Sequence, residues 1–412
     1  MTGEGGEVRS TADAVARRSY GKLVAFLSAR THDVAAAEDA LSEAFASALE
    51  KWPEQGCPSN PEAWLLTVAR RKLVDDDRRH RSGEVAAPHL QLLAEQLRSV
   101  PETDIPDHRL ALMFACAHPA IEAGIRAPLM LQVVLGLDAK AIASAFLTSP
   151  AAMGKRLVRA KTRIRDAGIP FRVPDREELP ERLETVLDAV YAAFSEGWMD
   201  PGGTDASRRD LTEEALFLAR LTMELLPEEP EVAGLLALML HADARRGARR
   251  TTDGDFIPLA EQDVAMWDAE MISEAESLLW RAGALGRIGR YQLQAALQSA
   301  HVQRRMTGVA NWDDVVMLYD VLLSIDDSPV VAINRALAIG ELRGATDGLA
   351  AMPSHESDAR LVDYQPYWAA RAELLARAGE REEAHRAYEL AIGLASDPAV
   401  RRYLQARQAE VR

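Results

Sequence analysis

The residues best suited to chemistry in this 412-residue chain are cationic, and they fall in two short clusters. Residues 150–168, PAAMGKRLVRAKTRIRDAG, carry Lys155, Arg156, Arg159, Lys161, Arg163 and Arg165 against one acid, Asp166. Ser149 offers an N-cap, Pro150 fits the first helical position and Gly168 a stop, so the spacing predicts one helix. The preceding DAKAIASAF (138–146) reads as a shorter helix and LTS as a tight turn. A helix–turn–helix of this kind reads DNA when the second helix enters the major groove. Its N-terminal residues then reach base edges while basic side chains hold phosphates. Ser149, Ala151, Ala152, Lys155, Arg156 and Arg159 stand in those positions, with Leu157, Val158 and Ile164 expected to face inward. The competing reading is a helical hairpin with a solvated basic face, and the turn lacks the glycine such motifs often use.

The second cluster lies on a helix expected over 61–81, capped by Asn60 and opened by Pro61. Arg70, Arg71, Lys72, Arg78, Arg79 and Arg81 interrupt its apolar pattern, and Asp75–Asp77 sit among them. The preceding segment Trp52–Pro61 (WPEQGCPSNP) reads as a loop, because Pro and Gly break it repeatedly. Basic side chains beside aromatics suit single-stranded DNA. Trp64 reads instead as core, since it shares a face with Leu65 and Val68. A third element, 37–51, mixes Glu38, Asp39, Glu43 and Glu50 with Leu41, Phe45, Ala48 and Leu49. That is the texture of a helix that docks on a partner's helices, and equally of an ordinary amphipathic helix.

Apolar residues recur at three- and four-residue spacing nearly throughout, and no run alternates as a strand would, so the fold class expected is all-α. The net charge of −15 is unevenly spread: residues 1–172 hold 23 Lys+Arg and 21 Asp+Glu, and the remainder 25 and 42. Polyanion binding therefore belongs to the head, and the acidic body would repel DNA. From about residue 173 acidic amphipathic helices repeat. The last of them places Ala372, Gly379, Ala384, Tyr388 and Ala391 before Pro398, as a tetratricopeptide repeat does. The earlier units match more loosely, as stacked helical repeats sharing one core.

Other classes are disfavoured. The nine His are scattered, no Gly-rich phosphate loop occurs, and no nucleophile–base set stands out, so no enzyme, metal or cofactor is expected. Asp253 and Asp255 form a short acidic pair without the other ligands of a calcium loop, ahead of a helix expected over 261–281. The two cysteines, Cys57 and Cys116, make no disulfide framework, and with no signal core or membrane span the expected compartment is the cytoplasm.

In combination these segments resemble the extracytoplasmic-function sigma factors of bacterial RNA polymerase, in the subgroup with a tetratricopeptide-type C-terminal extension. AAAEDALSEAFASALEKWP resembles the core-binding helix of region 2, and PEAWLLTVARRKLVDDDRRHR the segment that melts and reads the −10 element. The stretch from HPAIEAGIRAPLM to RIRDAGIPFRVP resembles region 4, the −35 reader.

The resemblance implies region 2 at 10–81, a linker at 82–106, region 4 at 107–172 and the helical extension at 173–412. It implies that Asp39, Glu43, Phe45, Ala48 and Trp52 face the β′ clamp helices of core RNA polymerase, and that region 4 meets the β flap. It places residues 54–60 near a flipped −10 base. Promoter DNA would meet Arg70, Arg71, Arg78 and Arg79 in region 2. In region 4 it would meet Ser149, Ala152, Lys155, Arg156, Arg159, Lys161 and Arg163. The loop Asp253, Gly254, Asp255, Phe256 resembles a family Asp-Gly-Gly-Phe motif, with Asp255 departing from it. Arg71 departs likewise, where the family often has Asn. The acidic extension is expected to regulate, or to dock a regulatory protein. Two rivals stay open: a helix–turn–helix regulator acting without polymerase, and a repeat scaffold.

Overall fold

The computed structural model describes residues 19–80, 107–146, 148–175, 177–198, 206–356 and 358–411. Among them every regular element is helical, and the sole β feature is an isolated bridge between Arg250 and Phe256. The all-α expectation holds. The expected linker 82–106 lies outside the described residues.

The chain divides into two compact units, one of residues up to Met199 with Asp205–Leu218, the other of Asp200–Thr204 with Ala219–Arg412. The first unit begins with α1 (19–31), α2 (Val34–Gln55) and α3 (Pro61–His80). It continues with α4 (Arg109–Cys116), α5 (Ala123–Leu135), α6 (Ala139–Ala145), α7 (Pro150–Asp166) and α8 (Leu179–Trp198). Leu23, Val24, Ala25, Phe26 and Leu27 of α1 are all buried, as is every residue from Leu110 to Ala117. A helix apolar on all sides must be enclosed by others. α1 meets α5 so closely that a Cβ on Gly21 would stand 1.9 Å from the Val134 carbonyl oxygen, so only glycine fits there. α2 packs on α3 and α7, and α8 packs on α4 and α5.

Two boundaries differ from the sequence reading. The segment expected to be a loop from Trp52 begins four residues later, because α2 continues through Pro53 to Gln55 and the Gly56 amide closes on the Trp52 carbonyl at 2.9 Å. Proline costs most where it evicts a packed partner or a needed amide, and here the helix is held by buried Trp52. The helix expected over 261–281 starts at Ala269, since Asp263 caps a short 3-10 turn and Asp268 then accepts from the Glu270 and Met271 amides.

After α9 (Ala206–Leu225), the second unit pairs its helices in sequence: α10 (Pro230–Asp243) with α11 (Ala269–Ala284), α12 (Arg290–Thr307) with α13 (Trp312–Ile325). α14 (Pro329–Arg343) follows with α15 (Ala345–Ala351), α16 (Gln365–Ala378) with α17 (Arg381–Leu394), and α18 (Pro398–Glu410) closes the array. First helices of successive pairs also touch, α10 on α12 and α14 on α16. In the last pair Ala372, Ala384 and Ala391 are fully buried, Tyr388 is buried beside them, Gly379 makes the turn and Pro398 opens α18.

Candidate nucleic-acid interface and partner-facing helix

α7 is built as its sequence requires. Ser149 Oγ accepts from the Ala152 amide at 3.2 Å, and Pro150 occupies the first turn. Met153, Leu157, Ala160 and Ile164 form its buried stripe at helical spacing. On the outer surface Ala151, Ala152, Lys155, Arg159 and Arg163 are exposed. Val158 departs from expectation: it is 60% exposed, one helical step from Leu157 and so off the packed stripe. An apolar side chain between Lys155 and Arg159 suits a thymine methyl in a major groove.

Not all of the basic set is equally available. Arg156, Arg159 and Arg163 line a cleft of about 340 Å³ with Ile121, Glu122 and Ile125. Arg156 meets Glu122 there at 3.5 Å. Lys161 turns the other way and donates to Glu38 Oε2 at 2.8 Å, with both side chains at or below 12% exposure. Arg165 meets Asp33 at 3.5 Å and Asp166 at 3.0 Å. Glu38 also lies 3.4 Å from the Tyr20 hydroxyl. Burial pushes the Glu38 carboxyl up, although Lys161 and Tyr20 pull it down, and burial next to Glu38 raises the Tyr20 phenol. The Cys116 thiol is likewise raised by complete burial, so it is a packing residue and not a reactive one.

On α2, Asp39 and Glu43 are exposed, and Glu43 pairs with Lys72 of α3. Leu49, expected on the apolar face, is 47% exposed on the outer side. Phe45 is half-buried. Ala48 and Trp52 lie in the core of the first three helices, where Trp52 meets Trp64 edge-on at 5.5 Å. Direct contact with a partner is therefore open to Asp39, Glu43 and Leu49, while Ala48 and Trp52 hold the helix that presents them.

α3 starts as expected, with the Ala63 amide donating to Asn60 Oδ1 at 3.0 Å. Arg71 is exposed, and Arg70 is half-buried with its guanidinium 5.4 Å from the Phe26 ring centre. The side chains of Arg78 and Arg79 lie outside the described residues.

In the second unit the loop 253–256 docks on α18. Gly254 has φ +85°, a conformation that costs a residue with a Cβ. Asp255 needs no such freedom: its carboxylate takes two bonds from Arg402, at 2.6 and 2.9 Å. Phe256 meets Tyr403 edge-on at 5.5 Å, and Arg250 reaches both the Gly254 carbonyl and Asp397. Asp253 is exposed.

Comparison with known proteins finds matches in both parts of the chain. Residues 15–83 match the family model for sigma-70 region 2, which spans α1 to α3. Residues 182–283 match a family of unknown function, DUF6596. A protein of Rhizobium meliloti (strain 1021) described as uncharacterised is 37% identical over 377 residues, 90% of this chain and 88% of that protein. A Xanthomonas campestris pv. campestris protein named "Probable RNA polymerase sigma factor RfaY" is 31% identical over 169 residues, 38% of this chain and 42% of that one. No solved structure matches. The region 2 match and the Xanthomonas relative support a sigma-70 family member, and the Rhizobium protein is alike over nearly the whole chain, the helical second unit included. Among the described residues no helix is long and apolar enough to cross a membrane.

Proposed function

We propose that this chain is a sigma factor of the extracytoplasmic-function type, which binds core RNA polymerase and directs initiation at promoters it selects. In this reading α2 offers Asp39, Glu43 and Leu49 to the β′ clamp helices. α3 follows the melted −10 strand with Arg70 and Arg71, joined by Arg78 and Arg79. α7 enters the −35 major groove with Ser149, Ala152, Lys155, Val158 and Arg159, while Arg156 and Arg163 hold phosphates. The region carrying α4 to α7 also meets the β flap. The helical array after α8, which itself packs on α4 and α5 although expected in the extension from 173, is a tetratricopeptide-like extension that regulates the factor or docks a regulatory protein, and its acidity keeps it off the DNA.

The observation that carries this reading is the division of α7. A capped helix with one buried stripe presents Lys155, Arg159 and Arg163 outward, in the same compact unit as the region 2 match. Two weak DNA contacts on one polymerase gain by effective concentration, so neither need bind tightly alone.

Run-off transcription by core polymerase on a library of promoter-length DNA tests it. The expected result is a discrete set of start sites that requires the chain, and that Arg159→Ala depletes of one shared upstream element. Promoter binding without polymerase, as a dimer, would replace this reading with that of a helix–turn–helix regulator.

A further inference from the structure

We propose that the second unit carries a binding site for a small oxyanion, a carboxylate or a phosphate, centred on the Arg245 guanidinium between Gln298 and Trp267. The inference stands apart from the sigma reading, since none of these residues belongs to the nucleic-acid interface.

Arg245 follows the end of α10 and folds inward. Its Nη2 donates to Gln298 Oε1 at 2.6 Å, its Nε to the His241 carbonyl at 3.2 Å, and its guanidinium carbon lies 6.0 Å from the Trp267 ring centre. Each of these partners is neutral. Burial alone lowers its pKa to about 10, with no carboxylate opposing the shift. Arg245 is half-buried, and a cation even partly withdrawn from water is ordinarily paired, because desolvating it is costly. Asp243, two residues before Arg245, holds Arg246 at 2.6 Å instead.

A second observation is independent of that charge. Among the described residues, buried Trp267, the ring beside the Arg245 guanidinium, has its indole Nε1 without a hydrogen-bond partner. Unsatisfied buried donors are rare and call for a partner. The field around them is positive: Arg304 lies 3.0 Å from His301 Nδ1, and Arg245 and Arg304 both push His301 toward its neutral form. A planar guanidinium fork with neighbouring N–H donors is the chemistry that recognises a carboxylate or a phosphate.

The test is the thermal midpoint of the full chain titrated with sodium phosphate or sodium succinate, against sodium chloride at equal ionic strength. The proposal expects a saturable rise with at least one of the two anions. A response to phosphate alone identifies a phosphorylated ligand, and a response to succinate alone a carboxylate. Arg245→Gln should abolish the rise, while Arg281→Gln, on the exposed side of α11, should keep it. Trp267→Phe retains the ring and removes one donor, so half-saturation should move roughly tenfold. Two flat titrations would overturn the proposal, and so would a full response from Arg245→Gln. Should that variant not fold, an unchanged half-saturation in Trp267→Phe overturns it as well.

Discussion

Lys161 Nζ lies 2.8 Å from Glu38 Oε2, and this pair ties α7, the candidate recognition helix, to α2, the candidate polymerase-facing helix. In the proposed reading α3, which packs on α2, follows the −10 element and α7 the −35 element, and by their numbering these lie about 25 base pairs apart. At ~3.4 Å per step that is roughly 85 Å along B-form DNA. Helices joined by a hydrogen bond cannot serve both ends of that distance. On the proposed reading the arrangement is a closed one, and promoter binding would require α7 to leave α2.

The first prediction concerns that pair. Lys161→Ala leaves the Glu38 carboxylate buried without its cation, and breaking a buried pair costs about 3 kcal/mol or more. The urea midpoint of the variant should fall accordingly, and adding Glu38→Gln should recover part of the loss. Affinity for core polymerase should hold or tighten. A parallel loss in both measurements would mean that the packing persists in the complex.

α7 supplies the second. Removing one phosphate contact lowers the salt slope of DNA binding by about 0.9, whereas removing a base contact costs about 1–3 kcal/mol at one position. Arg163→Ala should weaken holoenzyme binding evenly across promoters and flatten its salt dependence. Val158→Ser should act only on promoters with a thymine at the matching step. Anisotropy titrations at several salt concentrations read both effects.

The third is a pH dependence in the second unit. Burial, and then the Arg245 charge, hold His241 down to about 4. A group whose folded pKa is depressed contributes stability above its unfolded pKa, near 6.5, and loses it as pH falls toward the folded value. Denaturation midpoints should therefore decline from about pH 6.5 to 4, with up to about 3 kcal/mol assignable to this residue. His241→Gln should flatten that part of the profile.

The fourth separates contributions within the loop on α18. The Asp255–Arg402 pair is more than half exposed on both sides, and such pairs contribute about 0–1 kcal/mol. Gly254→Ala forces a Cβ into φ +85° and should cost more than Asp255→Gly in thermal unfolding.

Local chemistry was legible in the sequence. The Ser149 and Asn60 caps, the Pro150 start and the Ala372 to Pro398 pattern each depend on neighbours within a few residues. What escaped depends on distant ones. Val158 and Leu49 sit at the edges of their apolar stripes, where one helical step decides between core and solvent. Lys161 reads as one more phosphate cation until its partner, 123 residues earlier in the chain, is seen. The Arg245 cluster was invisible for the same reason, since Gln298 and Trp267 belong to other elements. The late start of α11 follows from two competing Asp caps, at 263 and 268, in one short segment.

A sigma factor must bind core RNA polymerase before it can start a transcript. Size exclusion of the purified full-length chain with bacterial core polymerase tests it most directly. The expected result is a stoichiometric complex that Asp39→Arg with Glu43→Arg disrupts while the variant stays folded. Failure of the unaltered chain to co-elute at any concentration up to the micromolar range would contradict the account.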